Sequence, residues 1–185
     1  MFNLPNLLTL SRILLVPILV VVLLTEIEGR EVIGLVLFLT AALTDFLDGF
    51  IARRRRQITR IGKLLDPAAD KILTSAAFIS LVGLGLAPAW TVVVIVAREF
   101  AVSTLRSLAA SQNQVLAAGL SGKLKTTSQI VAISLLIISD RLGALQPIAP
   151  IALWIAVALT IYSGIEYFVR HGRRVLIEPP GDPEP

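Results

Sequence analysis

Four aspartates mark the part of the sequence best equipped for chemistry. Asp45 and Asp48 stand three apart, and Asp66 and Asp70 stand four apart. On a helix either spacing puts two side chains on one face, so each pair presents its carboxylates together. The surrounding stretch, residues 44–71, also carries Gly49, Ala52, Gly62, Ala68, Ala69 and the consecutive Arg53, Arg54, Arg55 and Arg56. Ionised carboxylates within an apolar run are costly and usually functional. Three arrangements relieve the repulsion: protonation at raised pKa, a divalent cation held by clustered oxygens, or pairing with the adjacent arginines. Asp66 has a plainer use, as the N-cap of a helix with Pro67 in its first position. The chain has no cysteine, and its single histidine, His171, lies among basic residues near the C-terminus. A metal site would therefore use oxygen ligands, which suits Mg²⁺, Mn²⁺ or Ca²⁺ and not zinc.

Long apolar elements must position these carboxylates. Of the 185 residues, 55% are hydrophobic; the mean hydropathy is +0.81. Soluble domains are about 45–50% apolar even with glycine counted. A bilayer-crossing helix needs roughly 20 mostly apolar residues, and candidates fall at 4–24, 32–52, 64–86, 89–108, 122–139 and 147–169. Turn-forming residues separate them at 26–31, 83–88, 113–122 and 140–147. The expected fold is all-α: a polytopic membrane protein of six transmembrane helices with a polar active site open to the cytoplasm. Arg12 and Pro17 interrupt the first segment, whose opening third is expected at the membrane interface. That segment lacks a basic start and a small-residue cleavage site, so it is expected to remain as a span.

Basic residues assign the sides. Arg53, Arg54, Arg55, Arg56, Arg60 and Lys63 share one connection; Arg106, Lys123 and Lys125 lie at another, and Arg170, Arg173 and Arg174 at the C-terminal end. The other side has only Arg30 and Arg141. The positive-inside bias puts both termini and the aspartate loop in the cytoplasm of a cell (inner) membrane protein. It also explains the net charge of +4 without a nucleic-acid partner. Anionic membrane lipids would add about 1 kcal/mol per surface basic residue. The transmembrane domain is read as 1–170. Residues 171–185 are read as a cytoplasmic tail, disordered on its proline and acid content.

The order Asp45-x2-Asp48-Gly49-x2-Ala52-Arg53-x8-Gly62-x3-Asp66-x3-Asp70 resembles the signature of the CDP-alcohol phosphotransferase family, position for position. The likeness extends from about residue 3 to about residue 170. It implies six transmembrane helices, an active site facing the cytoplasm, and transfer of a phosphatidyl group from CDP-diacylglycerol to an alcohol with release of CMP. It also implies two hard cations, Mg²⁺ or Mn²⁺, held by Asp45, Asp48 and Asp66, with Asp70 as a further ligand and as the base for the acceptor hydroxyl. Asp48, Gly49, Ala52, Arg53 and Gly62 would line the CDP-lipid site. Asn6 and Thr9 resemble residues of the nucleotide pocket, although Asn before an apolar run is also a helix cap. Small residues at these positions equally suit ordinary packing between membrane helices.

The opening "NLPNLLTLSRILLVP" and the segments "LLDPAADKI", "VAREFAVSTLRSLAA" and "SGKLKTTSQ" are similar to family members that use sn-glycerol 3-phosphate. A phosphate-bearing acceptor needs cations, and Arg98, Arg106, Lys123 and Lys125 are placed to supply them. Thr126 and Gln129 share a helical face and would add hydrogen bonds. Arg98 has a competing use, a neutralising pair with Glu99, and Lys123 could snorkel at the interface. Inositol phosphate, serine and phosphatidylglycerol are rival acceptors, and a cation transporter is a rival of another class. A homodimer is a further expectation from the resemblance. Trp90 and Trp154 read as interfacial or packing aromatics, Ser134 and Ser163 as helix–helix hydrogen-bonders, and His171 as part of a solvated end.

Overall fold

The computed structural model describes residues 4–55, 60–112 and 119–176; for 4–10, 45–55, 60–70, 174 and 176 the description covers the backbone alone. Among the described residues the chain is helical, with no strand. The helices are α1 (Leu4–Leu24), α2 (Arg30–Arg55), α3 (Arg60–Gly83), α4 (Ala89–Ser111), α5 (Leu120–Ile137) and α6 (Ile148–Leu176), with two short 3₁₀ turns, Ser139–Arg141 and Gly143–Leu145, before α6. Each expected apolar segment corresponds to one helix, and the expected breakers correspond to the junctions. Gly29 and Gly85 take φ of 76° and 72° there, a left-handed conformation that side chains with a Cβ disfavour.

Three local expectations change. α1 runs unbroken through Pro17, and Arg12 is buried with 1% of its surface exposed; neither residue interrupts the helix. α3 begins at Arg60, so Asp66 and Pro67 lie inside the helix and Asp66 is not its N-cap. A proline there forgoes one backbone hydrogen bond, a loss that packing along the rest of the helix outweighs. α6 continues past 170 to Leu176, because Tyr167 and Val175 join Val102, Leu105 and Ala109 in an apolar cluster between α4 and α6. The remainder of the expected tail, 177–185, and the 113–118 connection lie outside the described residues.

The main core draws on all six helices, with α4 contributing Val92 and Ile95 and α6 contributing Leu153 and Val157. Leu19, Leu23, Phe38, Ala77, Phe78, Leu81, Ile133 and Leu136 are almost completely buried there. Small residues set the spacing of the closest helices. At the α5–α6 contact, the most extensive among the described residues, Ala132, Ala152 and Ala156 cluster. At α1–α2, a Cβ on Gly34 would fall 2.5 Å from Leu23 Cδ2. α4 packs on α6 and α3 but has almost no direct packing against α5. Along α4 and α6 the register is nearly constant. Trp90 meets Trp154, Arg98 meets Ser163, Arg106 meets Tyr167 and Gln112 meets the Val175 carbonyl. The two helices therefore run parallel, side by side.

The outer surface is apolar as well. Leu14, Ile18 and Val21 on α1 and Ile151, Trp154, Ile155, Tyr162 and Ile165 on α6 are exposed, at spacings that form stripes along each helix. Among the described residues, one stretch, Gly143–Arg173, is long and apolar enough to cross a membrane. Just before its start, Arg141 donates to Glu31 at 3.2 Å, and Arg30 lies 3.6 Å from the same carboxylate. The α1–α2 and α5–α6 junctions thus meet at one end of the bundle.

Candidate active site

The helical hairpin α2–α3 carries the four aspartates. Asp45 and Asp48 lie in the last turns of α2, Asp66 and Asp70 in the first turns of α3, and the two helices pack together. Both pairs are thereby brought to the same end of the hairpin. On α2, Asp45, Asp48, Gly49 and Ala52 follow an i, i+3, i+4, i+7 pattern; on α3, Gly62, Asp66 and Asp70 recur every four residues. Each set is one helical face. α1 runs antiparallel to α2, so the turn bearing Asn6 and Thr9 lies at that end too. The side chains of all these residues, and of Arg53, lie outside the described residues. As a donor set the faces fit hard divalent cations, since four carboxylates supply oxygen and nothing softer.

The cations expected to receive a phosphate sit on α4 and α5, and most already have partners. Arg98 is half-buried. Its Nη1 donates to Glu99 Oε1 at 3.3 Å and its Nη2 to Ser163 Oγ at 2.6 Å. Its stem lies against Gly164, where a Cβ would come 3.0 Å from Arg98 Cγ. Lys125, buried at 5% exposure, donates to the same Glu99 Oε1. The neutralising pair between Arg98 and Glu99 is therefore present, and Lys125 is its third member. Arg106 Nε donates to the Tyr167 hydroxyl at 3.1 Å, and its guanidinium lies 5.3 Å from the centre of that ring. Gln129, 2% exposed, donates to Thr160 Oγ1 at 3.0 Å. Thr126 donates to the Gly122 carbonyl of its own helix at 3.1 Å. Lys123 is exposed.

A polar seam thus runs between the helices inside an apolar shell. It continues to α3, where Lys71, the residue after Asp70, donates to Ser103 Oγ on α4. Ser103 Oγ in turn donates to the Glu99 carbonyl at 2.7 Å. Buried polar groups of this kind demand partners, and these helices supply them to one another. Arg98 and Lys125 come together through Glu99; Arg106 is held separately by α6. Ser163 bridges helices as expected, whereas Ser134 donates to the Ile130 carbonyl of its own helix at 2.8 Å. His171 is not a free solvated end, since its ring packs 4.8 Å from that of Tyr167.

Residues 2–162 match the CDP-alcohol phosphatidyltransferase family. The chain belongs to that family. Among its members the chain is similar, at 46% identity, to "CDP-diacylglycerol--glycerol-3-phosphate 3-phosphatidyltransferase" of Bacillus subtilis (strain 168), over 92% of this chain and 96% of the relative. It is 37% identical to the protein of the same name from Rickettsia typhi, over 91% and 96% of the two chains. The corresponding protein of Salmonella choleraesuis is 38% identical, over 90% and 93%. The structure supplies partners that spacing alone did not single out as site residues: Glu99, Ser103, Thr160 and Tyr167. Only Glu99 gave a sequence signal, as an acid beside Arg98 in an apolar helix.

Proposed function

We propose that the protein transfers the phosphatidyl group of CDP-diacylglycerol to sn-glycerol 3-phosphate, giving phosphatidylglycerol phosphate and CMP in phospholipid biosynthesis. The observation that carries this reading is similarity along nine-tenths of the chain to relatives named for that reaction. The intact aspartate order on α2 and α3 agrees with it.

In this reading the acceptor hydroxyl oxygen attacks the phosphorus that bears diacylglycerol. A new P–O bond forms there, and the P–O bond to CMP breaks, with CMP leaving. Asp70 takes the hydroxyl proton, as a positioned carboxylate can. Asp45, Asp48, Asp66 and Asp70 would hold two Mg²⁺ or Mn²⁺ ions, which supply charge neutralisation to the diphosphate when bound. Asn6, Thr9, Gly49, Ala52, Arg53 and Gly62 line the CDP-lipid side. Arg98, Arg106, Lys123 and Lys125 hold the acceptor phosphate by charge-assisted hydrogen bonds, with Thr126 and Gln129 beside them. Positioning and electrostatics are the main needs of such a transfer.

The bundle sits in the cell membrane as six spans, with both termini and the active site cytoplasmic. Apolar stripes on the outside and polar pairs on the inside support this placement, together with the distribution of basic residues. The same reading takes the protein as a homodimer. The test is CMP release by the purified protein given CDP-diacylglycerol and Mg²⁺ with each of four acceptors: sn-glycerol 3-phosphate, inositol phosphate, serine or phosphatidylglycerol. Release with sn-glycerol 3-phosphate alone is expected. Release only with another acceptor would reassign the α4–α5 cations, and ion flux without CMP release would remove the enzyme reading.

A further inference from the structure

We infer that Glu99 is a positioning residue of the acceptor pocket, presetting Arg98 of α4 and Lys125 of α5 for one phosphate group. The inference rests on the reading of these cations as the acceptor-phosphate site. Both cations donate to one atom, Glu99 Oε1, which brings their donors within the span of a single phosphate. All three side chains are largely withdrawn from solvent, at 13%, 12% and 7% exposure for Arg98, Glu99 and Lys125. Two cations this close repel in a poorly solvated site, and the carboxylate between them relieves that repulsion.

The location of the bridge is the second argument. α4 and α5 hardly pack against each other directly and are held relative to one another through α6, so no direct backbone contact sets how closely the Arg98 and Lys125 heads approach. The Glu99 carboxylate spans that separation directly. Glu99 is itself placed by α4, since Ser103 Oγ donates to its carbonyl. Arg98 is steadied from the far side by Ser163 and by the close approach of Gly164. Lys125 carries a flexible four-carbon stem, and ordering it only when the acceptor arrives would cost side-chain entropy at that moment. A resident carboxylate meets that cost during folding. Glu99 takes no proton and touches no substrate in this scheme; it acts through the two cations.

The test is steady-state CMP release by the purified full chain with Glu99→Gln, which keeps the size and removes the charge. The KM for sn-glycerol 3-phosphate is expected to rise about tenfold, with the KM for CDP-diacylglycerol within about twofold, the pattern of a lost acceptor contact. Glu99→Asp, which keeps the charge on a shorter stem, is expected to give an intermediate rise. In a Lys125→Gln background, Glu99→Gln should add less than it does alone, because coupled residues are not additive. An unchanged acceptor KM, an equal rise for both substrates, or full additivity with Lys125→Gln overturns the inference. So does a lower acceptor KM, which would make Glu99 a competitor of the phosphate. If the Gln variant does not fold, the Asp variant decides alone, and an unchanged acceptor KM there is the overturning result. A wild-type protein that releases no CMP with sn-glycerol 3-phosphate overturns the acceptor reading itself; an active wild type with an unmoved Glu99→Gln overturns only the role of Glu99.

Discussion

Asp45, Asp48, Asp66 and Asp70 come from one helical hairpin and stand on two faces set by helix register alone. Arg98 and Lys125 come from helices that scarcely touch, and depend on Glu99, Ser163 and Gly164 for their placement. A register-built site has no spare parts, because each carboxylate owns its position on the face. A partner-built site distributes its placement over several weak contacts. Abrupt loss is expected from the first and graded loss from the second.

The largest effect should come from Asp70→Asn. Transfer is expected to fall by about 10²–10⁴-fold, the range for a lost general base, while binding of CDP-diacylglycerol largely persists. Turnover and a lipid-binding assay on the same preparation check it, and unchanged turnover would remove Asp70 from the role of base. Arg98→Ala should come next, raising the KM for sn-glycerol 3-phosphate by about tenfold or more, as for a lost charge-assisted contact of about 1.5–3 kcal/mol. An equal rise for CDP-diacylglycerol would erase the distinction between the two regions. Gly164→Ala is a gentler probe of the same arginine. The added methyl would meet Arg98 Cγ at 3.0 Å, so the stem must move by a few tenths of an ångström. The acceptor KM is expected to rise about two- to fivefold, since small misplacements of positioning groups are felt in rate. No change would mean that the stem can shift without moving the guanidinium.

The smallest effect lies at the far end of the bundle. The Glu31 carboxyl is held below its usual range first by a hydrogen bond from its own backbone N–H; burial opposes this, and Arg141 and then Arg30 lower it further. A lowered folded-state pKa gives stability that is present above the unfolded value and lost as pH falls through the folded one. Glu31→Gln should therefore lower the melting temperature slightly at pH 7, with the gap to wild type closing in acid. Because Arg141 is more than half exposed, added salt should shrink the gap too. A gap that widens in acid would reverse the sign of this argument.

The same contrast governs what could be read before the fold was known. Six apolar segments and their glycine- and proline-bearing junctions translate directly into six helices, because length and hydropathy are local properties. The aspartate faces were legible for the same reason: spacings of three and four have one meaning on a helix. Partners across helices were not. Nothing local says that Arg106 meets Tyr167, that Gln129 meets Thr160, or that Lys125 shares an oxygen with Arg98. Length and hydropathy place the start of the third segment near 64, with Asp66 already inside it; the observed start at Arg60 removes the alternative use of Asp66 as an N-cap. Arg12 reads as an interruption of an apolar run, whereas the helix continues through it and turns it inward.

The parallel course of α4 and α6 has an electrostatic result. Adjacent helices in an up-and-down bundle usually oppose their macrodipoles, which then largely cancel. Here the dipoles point the same way, and the electronegative C-terminal ends of two long helices lie together. Each end carries the equivalent of roughly half a negative charge. Arg173 stands in the last turn of α6, with Arg170 and His171 a turn before it; the last turn of α4 has no basic residue, and Arg106 lies further in. Arg173 thus answers a field made by the chain's own backbone, before any lipid or phosphate arrives.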